Sequence, residues 1–380
     1  MAYYLIGYPL GYSCSPTIHK LFNREIDYSQ KKLNEEEFVE FIKSKEFDGL
    51  NITIPYKEKI LPYLDVIEET SLEIGAINTV VNKDGVLYGY NTDILGVELS
   101  FKKNHVKLEN KVVMILGSGG TYKTISHLLN QKHLKKLYQV SRTPKEGFIT
   151  YQEAVNKEDV EILINTTPVG TFPNVNQSPI DISNFKKLEC IFDMIYNPNF
   201  TSLLLQGKRR GIKVINGLQT LVYQAGFAQE LFFDHKIDYR KYNGVYRHMQ
   251  KENQSFTLVG LPGSGKTTLG KLLARRMKYT YLDTDQEIER REGMSVQEIF
   301  EKKGEAYFRK KEQELIEEIY LEKKLVISTG GGMIENERIM NLLSFNSKII
   351  YLNRMMSDNL FNGVRPLLKS PSDYYALKSR

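Results

Sequence analysis

The chain has only two cysteines, Cys14 and Cys190, among its 380 residues, and they lie far apart in the sequence. Their number and spacing argue against a disulfide scaffold and a cysteine-based metal site, and they suit a reducing compartment. Long apolar runs are missing as well: no stretch approaches the about 18 residues of a membrane span, and no basic segment precedes the short apolar N-terminal run. We therefore expect a cytoplasmic protein without a membrane partner.

A strong excess of one charge is also absent, because the net charge is +6 from 52 basic and 46 acidic residues. The lysines occur as scattered pairs, such as Lys31-Lys32 and Lys323-Lys324, which is typical of a solvated surface. We therefore expect small-molecule substrates and no nucleic-acid partner, and a mildly basic surface suits substrates that carry phosphates or carboxylates. The charge pattern leaves the oligomeric state open.

Internal repeats and low-complexity tracts are lacking too, so solenoid and array architectures are excluded. Apolar strand-like runs instead alternate with amphipathic helical segments, which predicts α/β domains with mainly parallel sheets. The turn Asn82–Gly85 predicts a hairpin, and the polar segment Tyr242–Ser255 predicts a linker between domains. The predicted strands are Tyr3–Gly7, Leu50–Ile54, Val112–Leu116, Leu137–Val140, Glu161–Ile164, Phe256–Gly260, Leu325–Ser328 and Lys348–Leu352.

The segment Gly260-Leu-Pro-Gly-Ser-Gly-Lys266-Thr267 fits the pattern G-x-x-x-x-G-K-[ST], follows a predicted strand and opens a predicted helix. The backbone N–H groups of such a loop surround a phosphate, the lysine reaches the terminal phosphates, and the next hydroxyl ligates Mg²⁺. We therefore expect ATP and Mg²⁺ as cofactors. The predicted nucleotide-binding residues are Gly263, Ser264, Gly265, Lys266, Thr267 and Thr268, with Thr267 also a metal ligand.

A phosphate-binding loop occurs in kinases, GTPases and ATPases alike, and the motifs downstream of it distinguish these classes. These motifs are Tyr281–Asp285, Ile299–Glu312, Ser328–Gly332 and Arg365–Leu368. In order and spacing these motifs resemble shikimate kinase. The resemblance implies that Asp283 helps to hold Mg²⁺, that Asp285 orients or deprotonates the acceptor hydroxyl, and that Arg309 binds the substrate carboxylate. It also implies that Gly331 approaches the acceptor closely and that Arg365, on a lid, meets the charge that develops during transfer.

Two features of this half differ from the kinase family. Residues 355–364 lack a nucleotide-contacting arginine that family members often carry, and the family continues beyond the equivalent of residue 380. We therefore expect a kinase domain that is incomplete at its C-terminus, with Arg380 matching the family's second acceptor-binding arginine. A structural or regulatory nucleotide-binding module is the alternative, and Glu312 taken alone reads equally well as a solvated helix charge.

In the first half, the predicted strand Val112–Leu116 runs into the glycine turn Gly117-Ser-Gly119-Gly120, which is the context of a dinucleotide fingerprint. About 20 residues further on stands Ser141-Arg142-Thr143 rather than an acidic residue. This run favours NADP, because a guanidinium pairs with a 2′-phosphate. A generic strand–turn–helix corner and an ordinary surface arginine are the alternatives.

Further motifs fill the rest of the first 250 residues. They are Ser13-Cys-Ser15-Pro16, Asn51–Lys57, Gly75–Thr79, Gly89–Asp93, Asp193–Pro198 and Gly217–Gln224. Together with the glycine turn they resemble shikimate dehydrogenase over essentially all of Met1–Phe233. The sequence differs from the family pattern at Ser141, where the family usually has Asn, and at Gln219-Thr220, where Gly-Met is common.

This second resemblance implies a role for the polar residues of its motifs. Ser13 and Ser15 would bind the substrate carboxylate, while Tyr196 would lie near the nicotinamide and the substrate. Gly217 is a predicted cofactor-binding residue. The residues implied to bind ring hydroxyls are Thr53, Asn78, Asp93 and Gln224.

Reduction of a ketone also has a physical requirement, namely a cation or acid beside the oxygen that receives the hydride charge. Lys57 paired with Asp93 supplies one, although a surface salt bridge is the alternative reading of this pair. Ser15 has a competing role as well, because a serine before Pro16 and an apolar helix is a good N-cap.

The sequence therefore predicts an α/β chain made of a two-lobed dehydrogenase and a P-loop kinase domain. Residues 1–249 form the dehydrogenase, in which 1–100 and 216–249 bind substrate and 101–215 form a Rossmann NADP domain, and residues 250–380 form the kinase domain. The two resemblances together imply NADPH-dependent reduction of 3-dehydroshikimate to shikimate, followed by ATP-dependent phosphorylation to shikimate 3-phosphate. For the first half, NAD-dependent oxidation of quinate or shikimate is the alternative, against which Arg142 argues.

Overall fold

A computed structural model describes residues 2–11 and 13–353. Contacts divide the chain into two compact units, Met1–Asn197 with Thr201–Met249 and Pro198–Phe200 with Gln250–Arg380. The strands are β1 Tyr3–Gly7, β2 Tyr28–Lys32, β3 Gly49–Ile52, β4 Val66–Ile67, β5 Thr79–Lys83, β6 Val86–Tyr90, β7 Val112–Leu116, β8 Lys136–Val140, β9 Ile162–Asn165, β10 Cys190–Asp193, β11 Lys213–Ile215, β12 Ser255–Val259, β13 Thr280–Asp283, β14 Leu325–Ser328 and β15 Ser347–Tyr351.

Helices alternate with these strands along most of the described chain. They are α1 Ser15–Phe22, α2 Glu35–Ser44, α3 Tyr56–Lys59, α4 Glu69–Ile74, α5 Thr92–Lys103, α6 Gly120–Asn130, α7 Tyr151–Ala154, α8 Ser202–Arg209, α9 Leu218–Phe233, α10 Tyr239–Asn253, α11 Lys266–Met277, α12 Thr284–Glu292, α13 Val296–Lys303, α14 Glu305–Ile319 and α15 Glu337–Leu343. The predicted α/β class is confirmed.

The first unit contains a mixed six-stranded sheet of order β2-β1-β3-β5-β6-β4. Strands β1, β2 and β3 run parallel, whereas β5 pairs antiparallel with both β3 and β6. The predicted hairpin is confirmed: Asp84 and Gly85, with φ of 53° and 83°, form the turn between β5 and β6. The adjoining ends of β3 and β5 carry the polar motifs Asn51–Lys57 and Asn78-Thr79.

The second sheet of this unit is parallel, with the order β11-β10-β9-β7-β8. All five residues of β7 are buried, as expected for a central strand covered on both faces. Helices α5 and α9 join this sheet to the first one and pack closely, because Gly96 has no side chain: a Cβ atom there would lie 2.9 Å from the carbonyl oxygen of Thr220. This crossing fixes the first turn of α5 beside the sheet edge.

The other unit is built around a parallel four-stranded sheet of order β13-β14-β12-β15. Strand β12 lies in the interior of the sheet and leads directly into the glycine loop that precedes α11. The C-terminal ends of β12, β13 and β14 therefore share one edge, where loops are free to form a site.

The segment Tyr242–Ser255, predicted as a linker at a domain boundary, lies mostly in helix α10, and the division between the two compact units falls within it, after Met249. Its polar residues follow a helical pattern in which Tyr242, Val245 and Met249 are buried against α9 and α1. The spacing of these three residues is that of one helix face, a signal hidden by the surrounding charged and amide side chains.

Within residues 2–11 and 13–353, no helix has the length and apolar character required to cross a bilayer.

Candidate active sites

The first site centres on an ion pair between Lys57 and Asp93. Lys57 lies in α3, just after β3, and Asp93 lies in the first turn of α5, which Asn91 caps through a bond from the backbone N–H of Ile94. The Lys57 ammonium lies 2.5 Å from Oδ2 of Asp93, and the two side chains are only 13% and 15% exposed. The pair is therefore not the surface salt bridge that the sequence alone left open.

A buried polar network stands beside this pair. The side-chain amide of Asn78 donates to Oγ1 of Thr92 and to Oε1 of Gln224, at 3.0 and 3.2 Å. Oδ1 of Asn78 accepts from the backbone N–H of Thr92 at 2.7 Å. The network brings together Asn78, just before β5, and residues of α5 and α9, which lie up to 146 positions apart. It places Asn78 and Gln224 next to the turn that carries Asp93.

The serine motif lies at the start of α1. The hydroxyl of Ser13 accepts from the backbone N–H of Ser15, and the two hydroxyls are 3.1 Å apart. The predicted capping role of Ser15 is wrong: Cys14 occupies the N-cap position and Ser15 is the first helical residue, with no side-chain cap bond. The Cys14 side chain is part of a core cluster that includes Leu218 and against which Tyr196, in the loop after β10, also packs.

Two further predicted residues stand on strand ends of the same unit. Thr53 follows β3, and its methyl group would lie 2.5 Å from a Cβ atom on Gly7 at the end of β1. Gly217 precedes α9, and a Cβ atom there would lie 2.0 Å from the carbonyl oxygen of Met194. Any side chain at residue 217 would therefore displace the loop that carries Tyr196.

The glycine turn after β7 leads into α6. Gly117 has a φ of 109°, which favours glycine, and a Cβ atom there would lie 2.6 Å from Oγ1 of Thr166. Gly119 is the N-cap of α6 and offers no side chain, so the first N–H groups of the helix take no side-chain cap within the described chain. A Cβ atom on Gly120 would lie 3.6 Å from Cδ of Lys57, so the turn borders the ion pair.

The segment Ser141–Thr143 follows β8, the strand next to β7 in the sheet. Ser141 is buried, its hydroxyl accepts from the backbone N–H of Thr143 at 3.2 Å, and it lies 3.5 Å from the hydroxyl of Ser118. Arg142 and Thr143 are exposed. Tyr122, at the third small position of the fingerprint, is buried and hydrogen-bonds Gln139 of β8.

A second, separate site lies on the phosphate loop after β12. Gly260, Gly263 and Gly265 have φ of 148°, 80° and 93°, so the loop adopts a conformation that only glycine accepts readily at these positions. The Lys266 ammonium donates to the carbonyl oxygens of Gly260 and Leu261 at 2.7 and 2.9 Å. Ser264 is half-buried, and Thr267 and Thr268 are exposed on the first turn of α11.

Asp283, at the end of β13, lies beside the first turn of α11. Its Oδ2 atom accepts from the hydroxyl of Thr267 at 3.1 Å and from that of Tyr281 at 3.0 Å. The pair Thr267 and Asp283 thus presents two oxygen atoms beside the phosphate loop, which is the donor type that Mg²⁺ prefers.

Three charged side chains, Asp285, Arg309 and Glu312, lie around the glycine loop after β14. A Cβ atom on Gly330 would lie 2.6 Å from Oδ1 of Asp285 and 2.8 Å from Oε1 of Glu312, and one on Gly332 would lie 2.4 Å from Nη2 of Arg309. The glycine loop therefore approaches all three charged groups.

The charges in this cluster influence one another. Burial raises the pKa of Asp285 to about 7, and the neighbouring Glu312 and Asp283 carboxylates add to the increase. Burial also raises the pKa of Glu312, against the lowering effect of Arg309, which binds it at 2.7 Å. Glu312 is 1% exposed, so the solvated helix charge considered from sequence is wrong. Oδ1 of Asp285 and Oε1 of Glu312 are buried and have no hydrogen-bond partner within the described residues.

Residues 5–80 match the family model of the shikimate dehydrogenase substrate binding domain. The shikimate dehydrogenase (NADP(+)) of Clostridium beijerinckii is 35% identical over 266 residues, which cover 66% of this chain and 98% of that protein. The chain belongs to the shikimate dehydrogenase family.

Solved structures of this family extend the match. A chorismate mutase/shikimate 5-dehydrogenase fusion protein from Clostridium acetobutylicum is 33% identical, with a TM-score of 0.62, over 66% of this chain and 97% of that one. The Thermus thermophilus shikimate 5-dehydrogenase in complex with NADP(H) and shikimate is 27% identical, with a TM-score of 0.59, over 65% and 99% of the two chains. Residues 262–378 match the shikimate kinase family model. The predicted architecture, a shikimate dehydrogenase fused to a shikimate kinase domain, is confirmed.

Two residues predicted for the kinase domain, Arg365 and Arg380, lie outside the described residues. Sequence reasoning did not single out Thr92, which binds both Asn78 and Gln224 in the dehydrogenase part. Its position between Asn91 and Asp93 was the sequence feature that could have identified Thr92 as a site residue. Tyr281 was also missed as a partner of Asp283, because a tyrosine inside a strand motif reads as a packing residue.

Proposed function

We propose that this member of the shikimate dehydrogenase family catalyses two consecutive reactions. The first is NADPH-dependent reduction of 3-dehydroshikimate to shikimate, and the second is ATP- and Mg²⁺-dependent phosphorylation of shikimate at its 3-hydroxyl. The observation that carries the first reaction is the shielded Lys57–Asp93 pair next to the glycine turn of α6. The second rests on the buried carboxylate of Asp285 at the glycine loop after β14, whose Oδ1 atom has no hydrogen-bond partner within the described residues.

In the first reaction NADPH supplies a hydride to the ketone carbon. The carbonyl oxygen gains negative charge as the hydride arrives, and the Lys57 ammonium stabilises it and donates a proton. Asp93 holds the ammonium in place through the 2.5 Å contact. Proton and hydride together convert the ketone to the hydroxyl of shikimate, and the cofactor would leave as NADP⁺.

The substrate ring would contact the polar groups around this pair. Ser13 and Ser15 would bind the carboxylate, and Thr53, Asn78 and Gln224 would bind hydroxyls. Several convergent polar groups are required because a site built to hydrogen-bond hydroxyls rejects analogues that lack them. Tyr196 would lie beside the nicotinamide, in the loop held against Gly217.

The cofactor preference follows from the loop after β8. The uncapped N-terminus of α6 suits a pyrophosphate, and exposed Arg142 offers a guanidinium for a 2′-phosphate. Ser141 and Thr143 stand on either side of it. The same features disfavour NAD-dependent oxidation of quinate or shikimate, because no acidic side chain stands there to bind a free 2′-hydroxyl.

In the second reaction the residues of the phosphate loop would hold ATP. Gly263, Ser264, Gly265, Lys266, Thr267 and Thr268 would bind the phosphates, and Thr267 with Asp283 would hold Mg²⁺. Asp285 would accept the proton of the shikimate hydroxyl that attacks the terminal phosphate, and Arg309 would bind the carboxylate. Gly331 would approach the acceptor with its backbone, since its Cβ position is already occupied by Pro262 at 2.8 Å.

A purely structural or regulatory P-loop module is the second candidate for residues 250–380. Such a module needs no acceptor site, whereas Asp285, Arg309 and Glu312 meet at the glycine loop, which supports catalysis. We place both activities in the cytoplasm, in accord with the two widely separated cysteines of the sequence.

One experiment tests the kinase assignment: formation of shikimate 3-phosphate from shikimate, ATP and Mg²⁺ by the 380-residue chain, with Lys266→Ala as the background. Product that disappears in the variant supports the proposal. Absence of product from the unaltered chain, alongside intact NADPH oxidation by 3-dehydroshikimate, would leave a dehydrogenase with a non-catalytic P-loop domain.

A further inference from the structure

A buried threonine of α6 is hydrogen-bonded to the cap of the helix that carries Asp93. Nδ2 of Asn91 donates to Oγ1 of Thr124 at 3.1 Å, and the Thr124 hydroxyl donates to the carbonyl oxygen of Gly120 at 3.3 Å. Thr124 is 1% and Asn91 4% exposed. Because water does not reach these atoms, loss of the hydroxyl would leave a donor of Asn91 without that partner.

Asn91 is held by three other groups as well as by Thr124. Its backbone N–H donates to Oγ of Ser71 at 2.7 Å, and its side-chain amide also donates to the carbonyl oxygen of Ala76 at 2.7 Å. Its Oδ1 atom accepts from the backbone N–H of Ile94 at 3.2 Å. A displacement of Asn91 therefore moves the first turn of α5, in which Asp93 stands.

The other end of this connection is the glycine turn. Gly120 is the first residue of α6, so its carbonyl lies in the turn where the cofactor pyrophosphate is expected. Gly120 also borders Lys57, at 3.6 Å from its Cβ position to Cδ of the lysine. The first turn of α6 thus lies beside Lys57 and reaches the Asp93 helix through Thr124 and Asn91.

We propose that Thr124 is a positioning residue that couples NADPH binding at α6 to the placement of Asp93, and through it to shikimate binding. A ligand that fixes the first turn of α6 fixes the Gly120 carbonyl, the Thr124 hydroxyl and the Asn91 cap in turn. Coupling of this kind is reciprocal, so each ligand strengthens binding of the other by the same factor. The inference rests on the proposed dehydrogenase function.

The test measures the dissociation constant of shikimate with and without saturating NADPH, by calorimetry on the full chain. Both ligands are reduced, so no turnover occurs and the ratio of the two constants gives the coupling factor. In Thr124→Val, which keeps the shape but removes the hydroxyl, we expect the factor to fall about fivefold, the value of one ordinary hydrogen bond. Thr124→Ser should restore it.

Glu98→Gln is the matched control. Glu98 of α5 pairs with Lys132, just after α6, at 3.1 Å on the exposed side of the same two helices, and its loss should leave the coupling factor within about twofold. The inference is overturned if NADPH does not change shikimate affinity in the unaltered chain, or if Thr124→Val keeps the full coupling factor. Failure of the dehydrogenase proposal looks different: the unaltered chain would not oxidise NADPH with 3-dehydroshikimate.

Discussion

The Nζ atom of Lys57 lies 2.5 Å from Oδ2 of Asp93, across 36 positions of sequence. The contact joins a helix that follows the parallel part of the first sheet to one that follows its hairpin. Since the backbone N–H of Ile77 donates to the Lys57 carbonyl at 2.8 Å, the start of β5 fixes the lysine as well. Both charges are therefore held before any ligand arrives, which is the condition for efficient electrostatic stabilisation of a developing oxyanion.

Lys57→Ala should lower kcat for 3-dehydroshikimate reduction about a hundredfold to ten-thousandfold, the usual contribution of a positioned general acid. NADPH oxidation followed by nicotinamide absorbance measures it. Lys59→Ala is the control, because Lys59 pairs with Glu35 at the surface, where the two side chains are 45% and 70% exposed. Comparable losses in the two variants would contradict the role of Lys57.

Arg142→Ala should raise the KM for NADPH about tenfold or more, because a charge-assisted bond to the 2′-phosphate is removed. The KM for NADH, which has no such phosphate, should change little. Steady-state kinetics with both cofactors on the same preparation provide the internal control. An equal rise for both cofactors would mean that Arg142 does not recognise the phosphate.

Apolar runs predicted the central strands well, because strands buried on both faces must be apolar throughout. Val112–Leu116 and Tyr3–Gly7 were placed with their observed bounds. The missed strand β2 reads Tyr-Ser-Gln-Lys-Lys and lies at the sheet edge. It is a strand because it pairs with β1, and the local sequence of β2 does not indicate this pairing.

Sequence motifs predicted which residues belong to the candidate sites, but not which of their side chains contact one another. Asn78 and Gln224 lie 146 positions apart, and only the packed fold brings their side chains to 3.2 Å. The burial of Glu312 could likewise not be predicted from the sequence, since a glutamate in a charged helix is usually solvated. Its environment comes from Arg309 on the same helix and from the glycine loop of another strand.

Asp193 predicts a pH dependence of stability for the dehydrogenase unit. Its carboxyl is fully buried and accepts hydrogen bonds from Asn165, Ile195 and Thr201, yet burial raises its pKa from 3.8 to about 6. A raised folded-state pKa gives a stabilisation that is complete below about pH 4 and is lost as the pH rises through about 6. We expect a loss of about 3 kcal/mol across this window.

Urea unfolding of the full chain at several pH values measures this loss. Asp193→Asn cannot ionise, so its free energy of unfolding should not show this decline, although the variant should be less stable at low pH because one acceptor is replaced by a donor. Asp181→Asn, on an exposed turn, should retain the decline. An unchanged decline in Asp193→Asn would assign the pH dependence to another group.

Asp285 predicts the pH dependence of the kinase reaction. A general base acts in its ionised form, so a pKa of about 7 means that kcat for phosphorylation should rise with pH through about 7. Asp285→Asn should remove most of the kinase activity and leave the dehydrogenase unchanged. Glu312→Gln removes a negative charge that raises the Asp285 pKa, so the rise in kcat should shift to lower pH.

Glu314→Gln is the control for the shift expected in Glu312→Gln. Glu314 lies on the same helix as Glu312 but is exposed and pairs with Lys311 at 2.9 Å. Its pH profile should match that of the unaltered chain, since water screens an exposed charge. A profile that moves in Glu314→Gln as far as in Glu312→Gln would indicate a general effect of charge. A profile that stays in place in Glu312→Gln would mean that the group titrating in the reaction is not Asp285.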